Sequence, residues 1–177
     1  MLASACNPSS LPGTPLGTYN VVGALGTNTC GAGLGAPSPW NFTVQLSEDS
    51  TTTPPTLYWL SSDGTEMYST MSSATQVSIT STVTSNVGAT GPTDAGPDVA
   101  ASAGMEGACD LAQNTVLALT LAAGSPPTTF TGTMTYTFQT ATGVSATSDC
   151  TAELATVGGP YNTLPCTASY SMTGTHQ

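Results

Sequence analysis

The chain has 177 residues, ten Asp and Glu, a single His and neither Lys nor Arg, for a formal charge of −10 at neutral pH. Affinity for phosphate backbones and anionic lipid surfaces comes from Lys and Arg displacing counterions, so nucleic acid and electrostatic membrane binding are excluded. Length and a hydrophobic content of 38% fit one domain with a modest core, while 34 Thr and 20 Ser replace charge as surface polar groups.

The chain opens Met1-Leu2-Ala3-Ser4-Ala5-Cys6, and Ala3-Ser4-Ala5 is the small-residue pattern that ends a secretory signal. This start resembles a bacterial lipoprotein junction, with Leu2 four residues before the Cys instead of three. The resemblance implies that residues 1–5 are a signal-peptide remnant and that Cys6 carries a lipid. Residues 6–16, rich in Pro and Ser, then read as a tether that holds a domain off a surface. No stretch approaches 18 consecutive apolar residues, so membrane attachment is expected through the lipid only.

From residue 17 onward the dominant signal is period-two alternation. Trp40, Phe42, Val44 and Leu46 alternate with polar residues, and Val77, Ile79 and Val83 follow the same rule. Phe130, Gly132, Met134, Tyr136 and Phe138 alternate with threonines without a slip. Further strands are predicted at Tyr19–Leu25, Leu57–Leu60, Glu66–Met71, Val116–Leu121, Thr151–Thr156 and Ala168–Met172, about nine in all. Ser62-Asp63-Gly64 marks a tight hairpin. Val99–Gln113 is Ala-rich and is the best candidate for a short helix, weakened by Gly104 and Gly107. Residues 85–108, with Gly91-Pro92-Thr93-Asp94-Ala95-Gly96-Pro97-Asp98, read as an irregular loop within a single β-domain over 17–177. The predicted fold is all-β: an antiparallel meander closing as an up-and-down, lipocalin-like barrel in preference to a two-sheet sandwich. A barrel removes edge strands that this Lys-free chain has no means to protect.

Cys30, Cys109, Cys150 and Cys166 lie within the β-domain and read as two disulfides in an oxidising compartment. Three connectivities are open. Cys30–Cys109 with Cys150–Cys166 is preferred, because the latter pair flanks Gly158-Gly159-Pro160 and closes a short loop. With one His and no C-x-x-C pair, a zinc site lacks ligands.

Catalytic chemistry is poorly supplied. A Ser-His-Asp or Cys-His arrangement must use His176, which is expected in a fraying tail. The carboxylate pairs Asp63/Glu66 and Asp149/Glu153 are the candidates for glycoside hydrolysis, and both fall at turns or on polar strand faces. Asp94 and Asp98, with Glu106 and Asp110, offer a weak calcium loop. No cofactor is expected. Trp40, Phe42, Trp59, Tyr136 and Phe138, with Tyr58 and Tyr68, line an apolar-ligand cavity if the sheet closes, and otherwise fill the core.

Gly17-Thr18-Tyr19 resembles the Gly-x-Trp start of lipocalins, with Tyr in place of Trp. The Gly-Pro-x-Asp loop, Asn28-Thr29-Cys30-Gly31, Leu164-Pro165-Cys166-Thr167 and the ending Met172-Thr173-Gly174-Thr175 resemble small surface lipoproteins of myxobacterial type. That resemblance brings no catalytic residues. It implies a non-catalytic, lipid-anchored module of a bacterial outer membrane or extracellular surface, serving binding or structure. The alternatives are a carrier of a small apolar ligand and a self-associating surface or filament subunit.

Overall fold

The computed structural model describes residues 11–87, 109–141 and 160–177. Its eight strands are β1 (Thr14–Asn28), β2 (Trp40–Asp49), β3 (Thr56–Ser61), β4 (Glu66–Thr70), β5 (Gln76–Val87), β6 (Cys109–Leu121), β7 (Thr129–Thr140) and β8 (Cys166–His176). They form one antiparallel sheet in the order β4-β3-β2-β1-β8-β7-β6-β5. Each strand therefore lies beside its sequence neighbour, and the first strand pairs with the last, from Tyr19 opposite His176 to Asn28 opposite Ala168. The result is a nearly closed up-and-down barrel. Its seam runs between β4 and β5, which are joined by a single bridge, Met71 to Val77.

Period-two alternation explains why these segments become strands and which way they face. On β7, Phe130, Met134 and Phe138 are buried, whereas Thr131 and Thr133 are exposed. The outward threonines pair across strands, Thr129 with Thr175, Thr131 with Thr173 and Thr137 with Thr167, and each such pair contributes roughly 0.2–1 kcal/mol. Hydroxyls outside and apolar groups inside are the reverse of the alternation in a membrane-spanning barrel. No helix among the described residues is long and apolar enough to cross a membrane.

The barrel has two unlike ends. The base carries the start of β1, the β2–β3, β4–β5 and β6–β7 connections and the end of β8. It is filled by Tyr19, Val21, Val44, Leu46, Leu57, Ile79, Leu117 and Phe130, all at most 1% exposed. Burying each large side chain stabilises the fold by roughly 1.5–3 kcal/mol. The Tyr19 hydroxyl donates to the Pro127 carbonyl at 2.7 Å, so the core phenol is satisfied. The opposite end, the mouth, carries the β1–β2 connection, the β3–β4 hairpin, the last residues of β5 and β7 and the first residues of β6 and β8.

Several expectations are corrected. His176 is no frayed tail: it is the last residue of β8, its N–H donates to Thr128 at 2.9 Å, and its ring packs edge-on against Tyr19 at 5.2 Å. β1 begins at Thr14, inside the expected tether, because Leu16 has a place in the core. β5 continues to Val87, past the expected start of the irregular loop. The described part of the expected helix, Cys109–Gln113, is the first stretch of β6. Cys30 pairs with Cys166 across a sequence separation of 136, with Cα atoms 4.9 Å apart. Cys30 therefore bonds neither to Cys109 nor, through Cys166, into the expected short loop. β1 and β8 are neighbours, which brings the ends of these two strands together at the mouth. The Cys109 side chain, Cys150 and the strand expected at Thr151–Thr156 lie outside the described residues.

Candidate ligand cavity at the barrel mouth

Two adjoining cavities occupy the mouth. The first, about 330 Å³, is walled by the Leu34–Pro37 loop together with Trp40, Tyr136, Phe138, Ala168 and Tyr170. The second, about 350 Å³, lies between β2, β3, the β3–β4 hairpin and the inner faces of β5 to β7. Trp40, Phe42, Trp59, Met67, Val83, Met134 and Tyr136 form its apolar lining, and Asn41, Ser61, Asp63, Ser81, Gln113 and Thr115 are among its polar groups. Trp40, Gln113 and Tyr136 border both. Each volume falls in the range of about 300–1,000 Å³ usual for small-molecule sites.

The strands explain why this end is open while the base is filled. On the inward face of β6 the series Leu117, Leu119, Leu121 is buried toward the base, but toward the mouth the same face presents Gln113 and Thr115. β4 is only five residues long, so the mouth half of β5 has no neighbour in the hydrogen-bonded order on that side. Val83 points inward by its period with Val77 and Ile79, yet is 57% exposed. The seam thus gives the second cavity a lateral opening.

Aromatic rings build the walls. Trp40 stacks on Phe42 at 4.3 Å, Phe42 meets Trp59 at 6.2 Å, and Trp40 contacts Tyr170 at 5.1 Å and Tyr136 at 6.4 Å. The Tyr136 hydroxyl donates to the Met134 sulfur at 2.7 Å. Burial above all, then the neighbouring Asp63 carboxylate and Tyr170, raise the Tyr136 phenol far above its usual range. Trp59 is fully buried, and its indole N–H has no hydrogen-bond partner among the described residues. An orphaned donor of this kind costs about 1–3 kcal/mol.

Asp63 sits in the β3–β4 hairpin. Its Oδ1 accepts from the Ser61 hydroxyl and from the Thr65 N–H at 2.9 Å. These bonds, Ser61 first, hold its carboxyl below the usual carboxylate range. Gly64, at φ 88°, supplies the left-handed residue the hairpin needs.

A second apolar cluster fixes the wall of the first cavity. Cys30, Leu111, Phe138, Tyr161 and Cys166 are buried together, with Leu34 and Leu164 packed against them. Asn28 anchors the approach: its Oδ1 accepts from the Cys30 and Gly31 N–H groups at 3.0 and 3.2 Å. The disulfide therefore pins the loop that carries Leu34–Pro37.

Of the residues expected from sequence, Trp40, Phe42, Trp59 and Tyr136 line the second cavity, and Trp40, Tyr136 and Phe138 the first. Tyr58 and Tyr68 instead meet each other at 5.4 Å away from both cavities, with Tyr68 exposed. The structure does not bring Asp63 and Glu66 into one site, since Glu66 is exposed and lines neither cavity. Asp149, Glu153, Asp94, Asp98, Glu106 and Cys6 lie outside the described residues. Among the described residues no group of three or more His, Cys, Asp or Glu is placed to hold a metal. Gln113, Thr115 and Tyr170 are among the lining residues that the sequence does not point to. The one signal for the first two was a break in the apolar alternation of β6.

No family model, curated protein or solved structure matches this chain.

Proposed function

We propose that this protein is a non-catalytic binding barrel of a bacterial envelope that holds a small, largely apolar molecule in its mouth and is tethered to the outer membrane through a lipid on Cys6. The observation that carries the reading is the contrast between the two ends: a base filled by fully buried side chains, and a mouth with two aromatic-lined cavities of about 330 and 350 Å³. A purely structural barrel has no use for Gln113 and Thr115 directed into its interior, because uncompensated polar burial is unfavourable. The Cys30–Cys166 disulfide supports an oxidising compartment.

Binding is tested with the neutral fluorophore N-phenyl-1-naphthylamine. The full chain is expected to give a saturable rise in its emission with one site per chain. Val83→Trp, which places an indole in the lateral opening, is expected to abolish the rise without unfolding the barrel. Absence of saturable binding, or unchanged binding by the Val83 variant, overturns the carrier reading. The anchor is tested separately, by whether Cys6→Ser releases the protein from membranes of an expressing bacterium.

Self-association is the second reading, favoured by the terminal position of β5 in the hydrogen-bonded order and by the absence of Lys to guard such an edge. Size-exclusion chromatography over a range of concentrations tests it, and a constant monomer rejects it.

A further inference from the structure

The chemistry of the mouth narrows the class of occupant, given the reading of the mouth as a ligand cavity. Among the described residues, Asp63 is the only charged side chain lining either cavity. A carboxylate at a binding site is ordinarily balanced by a Lys or Arg, and this chain has none. Trp40, Phe42, Trp59 and Tyr136 converge from β2, β3 and β7 around the same space. Their faces carry the negative side of the ring quadrupole, which attracts a cation within about 6 Å. The formal charge of −10 adds a field that concentrates cations near the molecule and repels anions.

We infer that the occupant is a small organic cation, a substituted ammonium with an apolar body, whose charge lies toward Asp63 and whose body rests against Trp40, Phe42 and Tyr136. The hairpin carboxylate supplies the charge partner. The aromatic walls select an alkylated ammonium over a hydrated metal ion, since a metal ion keeps its water shell and gains little from a ring face.

Three probes with one benzyl body test this: benzyltrimethylammonium, its uncharged carbon isostere neopentylbenzene, and phenylmethanesulfonate, each titrated against the tryptophan fluorescence of the full chain. The cation is expected to bind about tenfold or more tighter than the neutral isostere, and the sulfonate to show no saturable binding. Asp63→Asn keeps an acceptor for the Ser61 and Thr65 bonds, so the hairpin survives. It is expected to bring the cation to within about threefold of the isostere while leaving the isostere unchanged. Equal binding of cation and isostere by the native chain, or an undiminished preference in Asp63→Asn, overturns the cation assignment while binding of the neutral probe upholds the cavity. Failure of all three probes to bind overturns both.

Discussion

Cys30 and Cys166 are 136 residues apart in sequence and 4.9 Å apart at their Cα atoms, joined by a disulfide where the ends of the first and last strands meet. A crosslink over so long a loop removes much of the freedom of the unfolded chain, with an entropic ceiling of about 5 kcal/mol. Replacing both cysteines by Ser is expected to lower stability by about 2–5 kcal/mol. Urea unfolding monitored by tryptophan emission measures this, and an unchanged midpoint would mean that the β1–β8 pairing already fixes the ends.

The Tyr19 hydroxyl, buried against the Pro127 carbonyl, gives a second test. Tyr19→Phe keeps the ring contacts to Phe130 and His176 but leaves the carbonyl unpaired. The expected loss is about 1–3 kcal/mol, read as a shift in the denaturation midpoint at constant slope.

Gly17 interrupts the β1–β2 register at φ 117°, with the His176 imidazole filling the space a Cβ would need. Gly17→Ala is expected to cost about 2–4 kcal/mol, and only about 1–2 kcal/mol when His176 is also Ala, leaving the backbone cost alone. Equal costs in both backgrounds would show that the imidazole moves aside freely.

The dependence of stability on pH has opposite signs at the two extremes. Tyr19, Tyr136, Tyr161 and Tyr170 are raised above their ordinary 10.0, chiefly by burial. The folded chain therefore holds protons that the unfolded chain gives up, and stability falls as pH rises above 10. Asp49 and Asp63 are lowered below 3.8 by their hydrogen bonds to Thr51 and to Ser61 and Thr65. Their contribution, small because Asp63 is exposed and Asp49 is only half-buried, is lost as pH falls below that value. Acid brings no build-up of positive charge, because His176 is the single cationic side chain. Circular dichroism at about pH 2 is expected to show an intact barrel, and solubility is expected to be least near the isoelectric point of 4.1. Acid unfolding comparable to that of an ordinary protein would contradict this account.

Where alternation was unbroken, sequence and fold agree: Phe130 to Phe138, Trp40 to Leu46 and the Ser62-Asp63-Gly64 hairpin are as their residues imply. The first half of β6 was hidden for a physical reason. Gln113 and Thr115 face inward at the cavity, so the segment loses the alternation that marks a strand, and up to Gln113 its composition resembles that of an Ala-rich helix. His176 gives no strand signal either, because its place is defined by a ring from elsewhere, Tyr19 against its imidazole. Loop length favours the local pair Cys150–Cys166, whereas closure of the meander makes the sequence-distant strands β1 and β8 adjacent and joins Cys166 to Cys30. The aromatic residues of the mouth were legible, but their division between cavity wall and outer surface depends on strand phase, which placed Tyr58 and Tyr68 outside.

The joint between β4 and β5 has a topological consequence. The terminal strands are the well-bonded pair, and the weak joint falls between strands consecutive in the chain, so the barrel is a continuous ribbon of eight strands whose natural cut lies at Ser72–Thr75. A circular permutant beginning at β5 and ending at β4, with a linker joining β8 to β1, would carry every long strand pairing between immediate neighbours. Its contacts would be far more local than those of the native order, in which β1 must wait for β8, and it should fold faster for that reason.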